Sequence, residues 1–382
     1  MIYIHFSLLL FKRILLKILS FLSCLFMVSS ISAQLGLLRV EIEKIIQFDT
    51  DIKYTEIPGF IIGVVDEDST YMMSFGTRVN SKDSLTEDDI FELGSISKSF
   101  TSTLINILVK NKTLSLDDKV NDYLDEQSKN PRMKWLTIED LVNHTSGLPK
   151  RPLGFGLKEI DVQNPYQNFT REDLLKFYAY YVPEVKDRSV FEYSHTNYAL
   201  LEVIIEKVTN MTFEDNIRNH IFDPLGMNNS LVDYYEKKLN LLTPGMDRSG
   251  EVVKPWTFRS FTASEGIKST MHDMLAYMRS LMDEKQTYNP SFELNDVNRK
   301  GKKSFSNDIM VQDGWQLLKV NKKITAHINS GSTSGHSAFM ALVKDTHTGV
   351  IILSNSAFGT GDLPLLILRM VNYNWKRKPK HQ

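Results

Sequence analysis

Cysteine is almost absent from this chain: its 382 residues hold one, Cys24, inside an apolar N-terminal stretch. Beyond it there is no disulfide, no thiol nucleophile and no thiolate metal ligand. A surplus of positive charge is missing as well. Lys and Arg number 45 against 46 Asp and Glu, whereas a protein that grips a phosphate backbone carries a clear basic excess. Nucleic acid is therefore excluded as a partner, and the short basic run "WKRKPK" (Trp375–Lys380) reads as a solvated tail. The nine histidines are scattered, with no H-E-x-x-H pair and no nearby ligand set, so no metal is expected. No P-loop or dinucleotide fingerprint appears, and no cofactor is expected. Internal repeats, low-complexity blocks and Pro/Gly-rich linkers are lacking too, which argues for one domain.

What is present begins with a targeting pattern. Lys12, Arg13 and Lys17 precede the apolar run "ILSFLSCLFMV", and "SSISAQ" offers a small-residue cleavage site after Ala33. Residues 1–33 are thus expected to be a signal peptide, leaving a secreted or periplasmic domain over 34–382. The upstream run "IYIHFSLLLF" keeps a membrane anchor open as the alternative. Lipidation at Cys24 fits poorly, because apolar residues continue past it and Phe21 is a poor start for a lipobox. Beyond Ala33 no stretch approaches the length of a membrane span.

The remaining pattern is strand, then helix, then strand. "LLRVEIEKIIQF" (Leu37–Phe48) has helical apolar spacing, and "GFIIGVVD" with "YMMSFGTR" predicts a hairpin around Glu67–Thr70. Four threonines are each followed three residues later by aspartate: Thr137/Asp140, Thr170/Asp173, Thr212/Asp215 and Thr270/Asp273. Each pair precedes an apolar run, the signature of a helix N-terminus. "NYALLEVIIEKV" (Asn197–Val208) predicts a buried helix. Strand character returns in "WQLLKV", "ITAHINSG", "HSAFMALVKD" and "VIILSNS", with turn signals at Asn321–Lys323 and Thr346–Gly349, and a last helix is predicted near Leu363–Trp375. The reading is an α+β fold: one mixed sheet whose strands come from both chain ends, beside an all-helical lobe, with a ligand cleft between them.

One local placement is unfavourable. In "FELGSISKSF" (Phe91–Phe100), Lys98 stands where a capping box wants Glu or Gln, and its charge opposes the positive end of the helix dipole. Ser95 is the only serine followed by lysine at the third position, and the apolar helix that follows puts both on one face. No G-x-S-x-G signal exists to supply a histidine-activated serine. Lys98 could act as the base only if its pKa fell by roughly three units, a cost of about 4 kcal/mol. A tyrosinate about 4 Å from the ammonium would supply a stabilisation of that order, so a tyrosine partner is expected downstream.

"FELGSISKSFTS", "LTIEDLVNHTSGLP", "FEYSHTNYALLEVIIEKVT" and "NSGSTSGHSAFMALV", in that order, resemble the class C β-lactamase-related serine hydrolases across essentially the whole chain beyond the leader. That group comprises class C β-lactamases, D-alanyl-D-alanine carboxypeptidases, aminopeptidases and several esterases. The resemblance implies an antiparallel sheet packed beside an all-helical lobe. It also implies Ser95 as the acylated nucleophile, Lys98 and Tyr193 as its proton-handling partners, and the amides of Ser95 and Ser332 as the oxyanion hole. Two positions depart from the family pattern. His195 replaces the asparagine of Tyr-x-Asn, and an imidazole cannot offer an amide's donor and acceptor together. Asn329-Ser330-Gly331 stands where Lys-Thr-Gly or His-x-Gly is usual, which removes a charge that fixes a substrate carboxylate.

His195, Asn329, Ser330 and Gly331 are therefore expected to bind substrate, an ester, amide or peptide. His327 is expected to point the same way as Asn329 by strand alternation. "HTSG" (His144–Gly147) reads as a helix-ending turn, and "SEGIKST" (Ser264–Thr270), where relatives usually carry paired glycines, as a turn into the next helix. The implied function is an exported serine hydrolase working through an acyl-enzyme. The alternatives are a sensor that has lost turnover, or a true β-lactamase or DD-carboxypeptidase.

Overall fold

The computed structural model describes residues 34–154, 163–183, 191–232, 242–282, 302–303, 309–312, 314–319 and 324–373. The chain divides into Met1–Asp51 and Ile52–Gln382. In the first unit residues 34–49 form one helix, α1, as the apolar spacing requires. The leader, residues 1–33, lies outside the described residues, as do the Asn321–Lys323 turn and the basic tail from Trp375. No described helix is long and apolar enough to cross a membrane.

The second unit opens with the hairpin β1 (Gly59–Asp66) and β2 (Ser69–Gly76), then β3 (Phe91–Glu92). The helical part follows: α2 (Ser97–Lys110), α3 (Ile138–Val142), α4 (Arg171–Tyr180), α5 (His195–Thr209) and α6 (Phe213–Ile217). Short elements come next: β4 (Gly245–Met246), β5 (Val252–Val253), α7 (Thr262–Glu265) and β6 (Lys268–Ser269). After α8 (Met271–Met282) the chain returns to strands β7 (Lys302–Lys303), β8 (Ile309–Gln312), β9 (Trp315–Lys319), β10 (Thr325–Ser332), β11 (Ser337–Val343) and β12 (Thr348–Ser354). Helix α9 (Leu363–Asn372) is the last described element.

Among the described residues the main sheet has eight strands in the order β2-β1-β12-β11-β10-β9-β8-β7, and its pairings are antiparallel. Its strands come from both chain ends, meeting where β1 pairs with β12 from Phe60↔Ser354 to Asp66↔Thr348. Every residue of β1 and of β12 is buried, so both faces of the sheet need cover. Helix α8 supplies part of it, close over two glycines: a Cβ at Gly63 or Gly349 would collide with Met271 or Met278.

In the helical part, all four threonine caps form. Asp140, Asp173, Asp215 and Asp273 each donate a backbone N–H to the Oγ1 of the threonine three residues earlier. Helix α2 runs through the core, with Phe100 stacked on Tyr277 at 3.9 Å and edge-on to Phe222 at 6.0 Å.

Candidate active site

Ser95 lies in a 3₁₀ turn, Gly94–Ile96, that leads directly into α2. Two glycines let this turn meet the sheet. Gly94 has φ +52°, a left-handed conformation that favours glycine, and a Cβ there would lie 2.7 Å from the Ser332 nitrogen. A Cβ at Gly331 would overlap the Leu93 carbonyl oxygen and lie 2.6 Å from the Ser95 nitrogen. The Ser95 backbone and the Gly331–Ser332 end of β10 therefore run in contact, the closeness that two backbone donors need to flank one oxyanion.

This junction floors a cleft of about 800 Å³. Ser95, Lys98, Tyr193, His195, Asn329, Ser330, Gly331 and Ser332 all line it, so the structure brings together the residues singled out from sequence. His327, two residues before Asn329 on β10, is not among the lining residues; burial and the Lys344 charge lower its pKa to about 4.

Lys98 is 2 % exposed and makes three short polar contacts: Ser95 Oγ at 3.1 Å, the Ser264 carbonyl at 3.0 Å and Glu265 Oε1 at 2.6 Å. Three acceptors match the three protons of an ammonium. None remains for His195 Nδ1, which lies 3.2 Å from Nζ and also touches Glu265 Oε1. A ring nitrogen facing a carboxylate oxygen needs a proton between them, so Nδ1 carries the hydrogen and Nε2 the lone pair. Ser95 Oγ donates to that same Glu265 oxygen at 2.8 Å.

Glu265 corrects the sequence reading in two ways. Ser264–Thr270 is not a simple turn: it ends one short helix, α7, and forms strand β6 against β3. Lys98 is not partnered by a tyrosinate either. Its nearest countercharge is Glu265, while the Tyr193 ring centroid lies 5.2 Å from Nζ. Burial pushes the Tyr193 phenol up, and the Glu265 charge pushes it further, so it stays neutral. Burial lowers the Lys98 pKa, and the opposing pull of the Glu265 charge offsets this only in part. Burial would raise Glu265, but the charges and hydrogen bonds of Lys98 and His195 outweigh it and hold the carboxyl well below the usual range. His195 falls to about 4 through burial and the Lys98 charge, so its ring is neutral at neutral pH. The lysine that opposes the helix dipole is thus held by a buried carboxylate.

The surrounding elements aim these groups. Ser194 caps α5 by accepting from the Asn197 N–H at 3.2 Å, and the His195 N–H donates to the Lys150 carbonyl at 3.0 Å. His144 is buried beneath them. Its Nδ1 accepts from the Ser194 N–H at 3.1 Å, and its ring meets those of Tyr193 and Tyr198 at 4.7 and 5.2 Å. In "HTSG", read from sequence as a helix-ending turn, His144 packs against Tyr193 and also lines the cleft. Glu92 accepts from Thr333 Oγ1 and from the Trp256 N–H, both at 2.7 Å, which anchors the segment just after Ser332. Lys150, Arg151 and Arg248 add positive charge to the cleft lining. Among the described residues no three His, Cys, Asp or Glu side chains group to hold a metal.

Fold and cleft together define a serine hydrolase built on a Ser-x-x-Lys helix. The chain belongs to the β-lactamase family, whose model matches residues 48–372. It is 25% identical over 337 residues to a β-lactamase of Psychrobacter immobilis, covering 79% of this chain and 80% of that one. Over 199 residues it is 33% identical to penicillin-binding protein 4* of Bacillus subtilis (strain 168), covering 50% and 41%. Among solved structures, a class C β-lactamase mutant superposes with a TM-score of 0.74 at 21% identity, covering 88% of this chain and 97% of that one. This likeness shows the fold: a class C β-lactamase-like mixed α/β architecture with a large antiparallel sheet.

Proposed function

We propose that the protein is an exported hydrolase that cleaves a small ester or amide through an acyl-enzyme on Ser95. The observation that carries this is the Ser95 hydroxyl itself. It is half-buried at the cleft floor, donates to a carboxylate at 2.8 Å, accepts from an ammonium at 3.1 Å and sits beside the Gly331–Ser332 backbone. A serine so polarised attacks a carbonyl carbon; the amides of Ser95 and Ser332 receive the oxyanion, and water releases the acyl group.

Asn329 and Ser330 contact the acyl donor, and His195 braces Glu265 in place of the family's substrate-reading amide. The cations Lys150, Arg151 and Arg248 favour an anionic substrate, although position 329 lacks the lysine that usually reads a carboxylate. Two relatives are β-lactamase and penicillin-binding protein by name, so a β-lactam or D-alanyl peptide is the second reading, supported by the same cationic lining. Residues 1–33 act as the export signal.

Intact-mass analysis after a fluorophosphonate probe tests the acyl-enzyme. A single adduct on the wild type, lost in Ser95→Ala, is expected; no adduct, or one that survives the substitution, refutes the proposal. Parallel assays with p-nitrophenyl butyrate, nitrocefin and a D-Ala-D-Ala peptide rank the substrate classes.

A further inference from the structure

We propose that Glu265 is a catalytic residue that takes the proton from Ser95, with Lys98 kept as a permanent ammonium that stabilises the developing alkoxide. The inference rests on the acyl-enzyme reading above and assigns the base within it. Four observations carry it. Glu265 Oε1 is 2.8 Å from the Ser95 oxygen and is the acceptor of its hydrogen. Lys98 meets the same Ser95 oxygen at 3.1 Å from the donor side. Lys98 Nζ faces three oxygens within 3.1 Å, as many acceptors as an ammonium has protons. Tyr193 lines the same cleft with its ring centroid 5.2 Å from Lys98 Nζ, and burial together with the Glu265 charge opposes its ionisation.

The groups facing Oε1 come from several elements. Lys98 projects from α2, His195 and Tyr193 from the entry to α5, and Ser264 from α7 at 3.2 Å. Arg151 acts electrostatically on His195, and Glu265 acts on Tyr166. Two departures from the family pattern, His195 for asparagine and Glu265 for a glycine, touch each other. They form one altered unit.

The step balances as follows. The Ser95 O–H proton moves to Glu265 Oε1 as Oγ bonds the carbonyl carbon and the carbonyl π pair moves to oxygen. The tetrahedral adduct collapses, the bond to the leaving oxygen or nitrogen breaks, and Glu265 returns its proton to that atom. Ionised again, Glu265 removes a proton from the attacking water, and Ser95 recovers its hydrogen as the acid product leaves.

The test is the second-order rate of fluorophosphonate labelling at Ser95, by intact mass, across pH. The wild-type rate is expected to stay within about threefold between pH 5.5 and 7.5, since its base is ionised throughout. A rise of about tenfold per pH unit over that window, the mark of a lysine or tyrosine base, overturns the assignment. Glu265→Gln, checked for folding by circular dichroism, is expected to label at least about 100-fold more slowly at pH 7 and to gain an alkaline-rising limb. Labelling of Glu265→Gln at or above the wild-type rate also overturns it while leaving the Ser95 adduct intact. Absence of any wild-type adduct refutes the acyl-enzyme instead. The pH profile needs no variant, so a misfolded substitution does not rescue the claim.

Discussion

Lys98 and Glu265 each expose only 2 % of the side chain, so neither ion is solvated and each depends on the other. Removing one partner strands a buried charge. Lys98→Met is therefore expected to cost about 3–5 kcal/mol in urea unfolding, and Lys98→Met with Glu265→Gln to recover most of that loss. Equal destabilisation in the single and double variants would show that the pairing contributes nothing. Ser95 and Lys98 were legible in sequence because their relation is local, one helical turn apart. Tyr193 was legible through its motif. Glu265 was not, because its contact with Ser95 spans 170 residues and its segment carries no period. The available signal was chemical: an acid where the family pattern has glycine, paired with a histidine where it has asparagine.

Helix α7 is only four residues long, yet it delivers Glu265. It follows Phe261, buried in a left-handed conformation at φ +69°, a setting costly for a bulky residue. Its neighbours hold it. Glu202 on α5 accepts from the Ala263 N–H at 2.9 Å, Thr101 Oγ1 donates to the Ala263 carbonyl at 2.7 Å, and Ser97 Oγ accepts from the Ile267 N–H at 2.9 Å. Burial raises Glu202 from its ordinary 4.5 to about 7, with the Ala263 hydrogen bond opposing. The folded protein thus binds this proton more tightly than the unfolded chain. The resulting stability is complete below the unfolded value and lost as pH rises through about 7, a change of about 3 kcal/mol. Glu202→Gln keeps the acceptor and is expected to remove that slope between urea melts at about pH 5 and pH 8; an unaltered slope would assign it to other groups. At the junction below, Gly331→Ala is expected to cost about 1–3 kcal/mol of stability and most of the activity, because the methyl displaces the Ser95 turn. Wild-type kinetics in that variant would mean that the turn tolerates displacement. The threonine caps and the long strands were legible, since each repeats a local rule. Elements of two to four residues, β3, β6 and α7, were not, because tertiary contacts alone define them.

Across the whole molecule, the order β2-β1-β12-β11 closes the sheet with strands from opposite ends of the chain. Asn355 fastens the closure: its Oδ1 accepts from the Gly59 N–H at 2.9 Å and its Nδ2 donates to the Thr77 carbonyl at 3.0 Å. A fragment ending at Met282 retains only β1 and β2 of the sheet. It is expected to show helical circular dichroism without a cooperative thermal transition; a sharp melt would mean that the helical part folds alone. That the sheet draws on both chain ends was readable from where strand patterns fall. The close glycine contact between β10 and the Ser95 turn was not.

The Gly59–Asn355 bond joins residues 296 apart, so the first hairpin is synthesised long before the strand that must lie beside it. During translation β1 therefore has only β2 beside it until β12 is made, and its second edge is left to be covered last.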